Sequence, residues 1–251
     1  MKREVLVVAL VVVGAFIVSS ETFAQDDEGR FGVIEEVYVV PGMGPEFEAA
    51  AKARTLRMAA GNVSFTQLAG GSENGFYRFL TLLANDFSSL DRWREEVAAM
   101  PPAASPANAA EIIQRIDRSV WRYRSDLSHL PENPRLEDSE FGFSRTVRLY
   151  VKFGAEAEAS TLLRQIAALE KEANVRDPRF VSSQVLGSDM PVFELQFFAL
   201  DAADYYRQTA RKVDALGEAF QALVTQVNRL CRRVEVENYI PKPELTYQPT
   251  N

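Results

Sequence analysis

Carboxylates, guanidinium groups and phenols recur at alternate positions in several short β-type runs of this chain. Glu36-Val37-Tyr38-Val39 and Arg148-Leu149-Tyr150-Val151 are the clearest two. A period of two sends Val37, Val39, Leu149 and Val151 to one side and Glu36, Tyr38, Arg148 and Tyr150 to the other, with Lys152 following. The runs Phe76 to Leu83 and Val192 to Phe198 extend the pattern with Arg78, Glu194 and Gln196. In the strands expected to close each half, Arg122 and Arg124 alternate with Trp121 and Tyr123, and Glu235 and Glu237 with Val234 and Val236. The candidate ligand-binding face is therefore Glu36, Tyr38, Arg78, Arg122, Arg148, Tyr150, Glu194 and Gln196. Arginines hold anions, and tyrosines with carboxylates exchange protons. Such a face suits a small organic ligand of anionic or phenolic character.

Other chemistries find no foothold. There is no Gly-rich phosphate loop, nucleophile elbow, Cys-x-x-Cys or paired metal-ligand motif. His129, the only histidine, falls in the loop Ser128 to Pro131, and nothing in the sequence places a serine beside it. Cys231, the only cysteine, follows an apolar helical run and reads as a buried small hydrophobe. No catalytic residue, metal ligand or cofactor is assigned. A net charge of −7 argues against a nucleic-acid partner, which would want a basic face.

The elements that must position these residues come in two rounds. Strand Val33 to Val40 stops at Pro41-Gly42, and a helix from about Pro45 to Ala60 ends at Gly61-Asn62. Strands Val63 to Leu68 and Phe76 to Leu83 follow. Asp86 then caps a helix bearing Phe87, Leu90, Trp93 and Val97, and a shorter helix with Ile112, Ile113 and Ile116 leads into strand Ser119 to Arg124. After a linker the order returns, with strand Val147 to Val151 and a helix marked by Leu162, Ile166 and Leu169. Strands Phe180 to Leu186 and Val192 to Phe198 come next, then an Asp201-capped helix, a further helix through Phe220 to Leu230, and strand Arg233 to Tyr239. Gln67-Leu68-Ala69-Gly70 matches Gln184-Val185-Leu186-Gly187. This is the pattern of one βαββαβ unit present twice. The expected organisation is residues 25–126 and 144–251 as two ferredoxin-like repeats joined by a linker over 127–143. Each unit makes a four-stranded sheet with helices on one face, and the two open faces can bury each other.

Charges at matching positions of the two copies are often opposite: Glu36 with Arg148, Arg78 with Glu194, and Arg122 and Arg124 with Glu235 and Glu237. Complementary charges of this kind can also serve simply to dock two sheets. Both readings stand at this level.

The strand ending in Pro41-Gly42-Met43-Gly44-Pro45-Glu46-Phe47-Glu48, the Gly-closed hairpin and the Asp-capped helix after the third strand together resemble the dimeric α/β-barrel superfamily. Its NIPSNAP-like and antibiotic-biosynthesis-monooxygenase-like families are the nearest. The resemblance implies an α+β fold of two ferredoxin-like units packed sheet to sheet within one chain, with a pocket inside the barrel or between sheet and helices. Haem-binding members generally use a histidine ligand, and a lone loop His129 makes a poor one. The reading favoured here is an exported, non-catalytic binding protein for a small organic ligand. The alternative is a cofactor-independent enzyme of oxygenase or isomerase type, using tyrosines and carboxylates. Homo-oligomerisation is left open.

The N-terminus reads as a secretory signal over residues 1–24. Lys2 and Arg3 precede the apolar run Val5 to Val18, and Thr22-Phe23-Ala24 supplies a cleavage site. That run is shorter than a membrane span, which needs about 20 apolar residues. Its removal leaves no expected span and points to the periplasm or the exterior. Intact-mass measurement of exported protein should show a mature chain starting at or near Gln25; a full-length product held in the membrane fraction would overturn the assignment.

Overall fold

Each half begins with a β-branched strand that ends in a glycine turn, and the turn sets the direction of the helix that follows. The computed structural model describes residues 30–84, 86–101 and 109–249. The signal-like segment and its cut before Gln25 lie outside the described residues. The first half runs β1 (Phe31–Val39), α1 (Gly44–Ala60), β2 (Gln67–Ser72), β3 (Phe76–Leu82), α2 (Ser88–Ala99), a single turn α3 (Ala109–Ile112) and β4 (Ile113–Tyr123). The second runs β5 (Phe143–Val151), α4 (Glu156–Glu172), β6 (Arg179–Leu186), β7 (Val192–Ala199), α5 (Ala202–Leu230) and β8 (Cys231–Pro241). Gly42 and Gly154 carry positive φ of 88° and 83° before α1 and α4, a conformation that glycine adopts without a Cβ clash.

All eight strands close one antiparallel barrel in the order β1-β3-β2-β8-β5-β7-β6-β4. Within it, β4-β1-β3-β2 and β8-β5-β7-β6 are the same four-stranded arrangement, joined through β2–β8 and β4–β6. Closure leaves no sheet edge to recruit another strand. The architecture is two βαββαβ units forming an α/β barrel within one chain, as expected.

Helices cover the outer face. Met58, Val63, Trp93 and Val120 form one outer cluster, and Val37, Phe47, Phe79 and Leu245 a second. Leu149, Leu163, Ile166, Val181 and Val227 form the third, under α4 and α5. A smaller cluster of Ile34, Trp121, Tyr150 and Val192 lies inside the barrel. Asp201 accepts a hydrogen bond from the Asp204 backbone N–H at 2.7 Å and so caps α5. Gly217, at φ 62°, divides α5 into the two expected helices. No helix among the described residues is long and apolar enough to cross a membrane.

Three expectations are corrected. Strand β2 begins at Gln67 rather than Val63, because Val63 and Phe65 are drawn into the core and pairing to β3 starts only at Gln67. Strand β4 begins at Ile113 rather than Ser119, because Ile113, Arg115 and Asp117 already pair with Val39, Tyr38 and Glu36. The Gln67–Gly70 and Gln184–Gly187 match fails in register. Gln67 lies beside Thr81 on β3, and the counterpart place beside Phe197 on β7 belongs to Arg179.

Candidate functional site

The inner face of the barrel gathers four of the expected residues into a chain of ion pairs. Arg148 Nη1 donates to Glu36 Oε2 at 3.0 Å, and its Nη2 also bonds Glu36. Arg148 Nε donates to Glu194 Oε2 at 2.9 Å, and Arg78 Nη2 closes on the other oxygen of Glu194. Tyr239 donates its hydroxyl to Glu36 at 3.3 Å, and Arg78 Nη1 reaches Thr146 Oγ1 at 3.3 Å. Glu36, Arg78 and Glu194 are only 6, 4 and 4 % exposed, so these charges survive through one another. Burial works against the charge on Arg148, but Glu194 and Glu36 outweigh it and hold its pKa above the ordinary value. Burial likewise disfavours the Glu194 carboxylate, yet Arg78 and Arg148 keep its pKa below the usual range.

The remaining expected residues have separate fates. Tyr38 faces inward, stacked on Phe76 at 4.8 Å between centroids, with the Arg115 guanidinium 3.9 Å over its ring. Tyr150 donates to Glu235 Oε2 at 2.6 Å, and Arg233 lies 3.7 Å over its ring. Burial, then the bond to Glu235, pushes the Tyr150 hydroxyl up to about 12. Gln196 shares the inner face, opposite Thr146. Arg122 does not belong to this face. It pairs with Phe31, and its guanidinium lies 5.0 Å over that outward ring. The longer β4 explains the error: the residue that meets Glu36 as Glu235 meets Arg148 is Asp117.

Space for a ligand lies elsewhere. A cleft of about 430 Å³ opens between the second sheet and the first turn of α4, with Arg124, Glu156, Ser160, Ser183 and Gln184 as its polar lining. Met190, Pro191, Val192 and Phe193 supply an apolar wall. That size and mixture suit a small organic molecule. The corresponding place in the first unit is plugged. There Glu48 accepts from Lys242 Nζ and from the Tyr77 hydroxyl, each at 2.8 Å. These two bonds, Lys242 first, hold the Glu48 pKa low, while burial and then Glu48 push Tyr77 up to about 12.

The pairing fixes the correspondence. Tyr77 lies beside Val37 as Phe193 lies beside Leu149. Lys242 N–H bonds Ala69 after β8 as Arg124 N–H bonds Val181 after β4. Glu48 of α1 and Ser160 of α4 occupy the same place in two helices of equal length. At these places the second unit has Ser160 for Glu48 and Phe193 for Tyr77. Arg124 turns to Asp126, giving Nε and Nη2 at 2.8 and 2.9 Å, and Arg164 from α4 also donates to Asp126, at 2.7 Å. Single-strand alternation could not have found this cleft. Comparison of the two copies could have, at Glu48/Ser160 and Tyr77/Phe193.

A histidine-ligated haem does not fit. The one histidine lies in neither the barrel nor the cleft: His129 bonds the Val175 carbonyl through Nε2 at 2.7 Å, and its backbone pairs with Arg179. Among the described residues no group of three or more His, Cys, Asp or Glu is placed to hold a metal ion.

No protein-family model and no curated protein sequence matches the chain. Solved structures do. An anthrone oxidase-like protein superposes with a TM-score of 0.62 at 11% identity, over 90% of this chain and 95% of its own. A candidate monooxygenase from Lactobacillus acidophilus NCFM gives 0.54 at 8% identity, over 88% and 97%. A chlorite dismutase from Candidatus Nitrospira defluvii gives 0.56 at 11%, over 90% and 95%. The fold is a dimeric α/β barrel closed within one chain. The expectation of a non-catalytic binding protein is overturned here, since the structures that share this barrel over nearly its whole length are named for enzymes. The inner face on which that expectation rested is also committed to ion pairs.

Two outcomes follow from the pairs. Arg148→Met strands Glu36 out of water, leaves Glu194 with Arg78 as its one ion-pair partner among the described residues, and should cost about 3–5 kcal/mol. Adding Glu36→Met should recover most of that loss, because Glu194 keeps Arg78; urea melts of parent, single and double variants measure it. The second outcome concerns acid. With its folded pKa lowered, Glu194 contributes stability that is full above the ordinary carboxylate value of about 4.3. That contribution is lost as pH falls through the lowered folded value. Thermal melts from neutral to strongly acidic pH should show this loss in the parent and a shallower acid slope in Glu194→Gln.

Proposed function

We propose that the protein is an exported enzyme of cofactor-independent oxygenase type, acting on an electron-rich organic molecule in the cleft of the second unit. The observation that carries this reading is the asymmetry between the units: the same cleft is plugged by Glu48, Tyr77 and Lys242 in the first and open in the second. The named activities of proteins sharing the fold add support, and they favour kinship with the antibiotic-biosynthesis-monooxygenase-like group over the NIPSNAP-like one.

In this reading Glu156 accepts a proton from an acidic C–H or O–H of the substrate. Arg124 and the hydroxyls of Ser160 and Ser183 stabilise the resulting anion, which is the electron source for dioxygen. Met190, Pro191 and Phe193 hold the carbon skeleton and exclude water. We also infer that the chain arose by tandem duplication of one unit. Support comes from the shared strand order, from paired left-handed residues Asn62 and Asn174 at φ 48° and 51°, and from matching one-turn 3-10 helices at Ser125–Leu127 and Pro243–Leu245.

The test is dioxygen consumption by the mature chain with anthrone and with naphthols. Glu156→Gln should lower kcat by about 10²-fold or more, the contribution of a general base. Ser160→Glu combined with Phe193→Tyr rebuilds the plug and should abolish turnover with unchanged circular dichroism. Turnover that survives the rebuilt plug would remove the cleft as the site.

A further inference from the structure

We infer that the molecule taken up by the second cleft is an acid, whose anionic group occupies the place that the Glu48 carboxylate holds in the first unit. This rests on the reading of the cleft as the working site, and it names the class of ligand. The first unit contains its own model of the bound state. A carboxylate entering from α1 meets a cation from the residue after β8 and a phenol from β3, at 2.8 Å from each. The second cleft keeps the cation, as Arg124 after β4, and keeps the sheet and helix that frame it. It lacks the side chain that brought the carboxylate, which is cut back to Ser160, and the phenol hydroxyl, which is absent from Phe193. The volume once filled from within is therefore left beside a guanidinium.

The local charges agree. At the first cleft Lys242 has two carboxylate partners, Glu48 at 2.8 Å and Glu244 at 4.0 Å. In the second cleft Arg124 pairs, among the described residues, with Asp126, and Asp126 is shared with Arg164. Counted as ion-pair partners, the cation of the second cleft has one carboxylate fewer than Lys242, although Glu156 also lines that cleft. Asp126 takes Nε and Nη2 side-on, which fixes the guanidinium plane and leaves Nη1 as the nitrogen to meet a ligand oxygen. The partly exposed setting keeps each pair modest, so recognition needs the apolar wall as well as the charge. An aromatic or otherwise flat acid meets both demands: its ring lies on Met190 and Phe193, and its anion on Arg124. Asp126 acts as a positioning residue in this scheme.

The experiment is calorimetric titration of the mature chain with 2-naphthoate and with its neutral isostere 2-naphthamide. The acid should bind at least tenfold more tightly than the amide. Arg124→Gln should erase that preference, and Arg124→Lys should retain part of it. Ser160→Glu should block the acid and raise the melting temperature, and the rise should vanish when Arg124→Gln is added. Equal affinity for acid and amide overturns the inference. So does a preference for the acid that persists in folded Arg124→Gln, or a Ser160→Glu chain that still binds the acid as the parent does. The two readings separate cleanly. Turnover of neutral substrates without preference for acids removes this inference and leaves the enzyme, whereas acid binding without any turnover leaves this inference and removes the oxygenase.

Discussion

A charge taken out of water has to meet an opposite charge, and in this barrel that demand falls on the centre. Glu36 and Arg148 stand at the same place in the two units, as do Arg78 and Glu194, and each residue is paired across the barrel with its own counterpart. In a symmetric dimer of identical chains such positions would set like against like, glutamate on glutamate and arginine on arginine. One chain carrying both units is free to make the two faces differ, and here the difference is one of sign. The network also fixes register, since a slip of one residue in β1 or β5 would turn these charges into the outer apolar layer. Pairs so placed specify one docking more than they add net stability, because the desolvation they incur is of the same order as their attraction.

With its middle occupied by Arg78, Arg148, Glu36 and Glu194, the barrel has its roomiest described cleft on the outer side of the sheet. That is where the two units part company. Their backbones are alike to the level of individual turns, with Gly42 and Gly154, or Asn62 and Asn174, at nearly the same left-handed angles. A few side chains differ. Glu48 with Tyr77 fills one cleft, and Ser160 with Phe193 leaves the other open. The two units thus differ at this place in side chains while sharing one fold.

Much of this was legible before the structure. Alternation placed Val37, Phe79, Leu149 and Leu195 under the helices and Glu36, Arg78, Arg148 and Glu194 on the inner face, because pleating is a local property of the strand. Capping by Asp201 was legible for the same reason, as its partner is only three residues away. Arg122 was misplaced because its face depends on where β4 starts, and that is decided by pairing to β1 rather than by the residues of β4 themselves. Gln67–Gly70 misled in a similar way: a short identity in two strands says nothing about the register in which a third strand receives them.

The sequence by itself determined the order of elements, their repetition, and the side of each strand on which charge would gather. Tertiary structure decided which charges meet and which cleft stays open. The reason is distance along the chain. Lys242 reaches Glu48 across 194 residues and Arg148 reaches Glu36 across 112. Contacts of that span exist only after the barrel has closed, whereas the period of a strand is written in its neighbours.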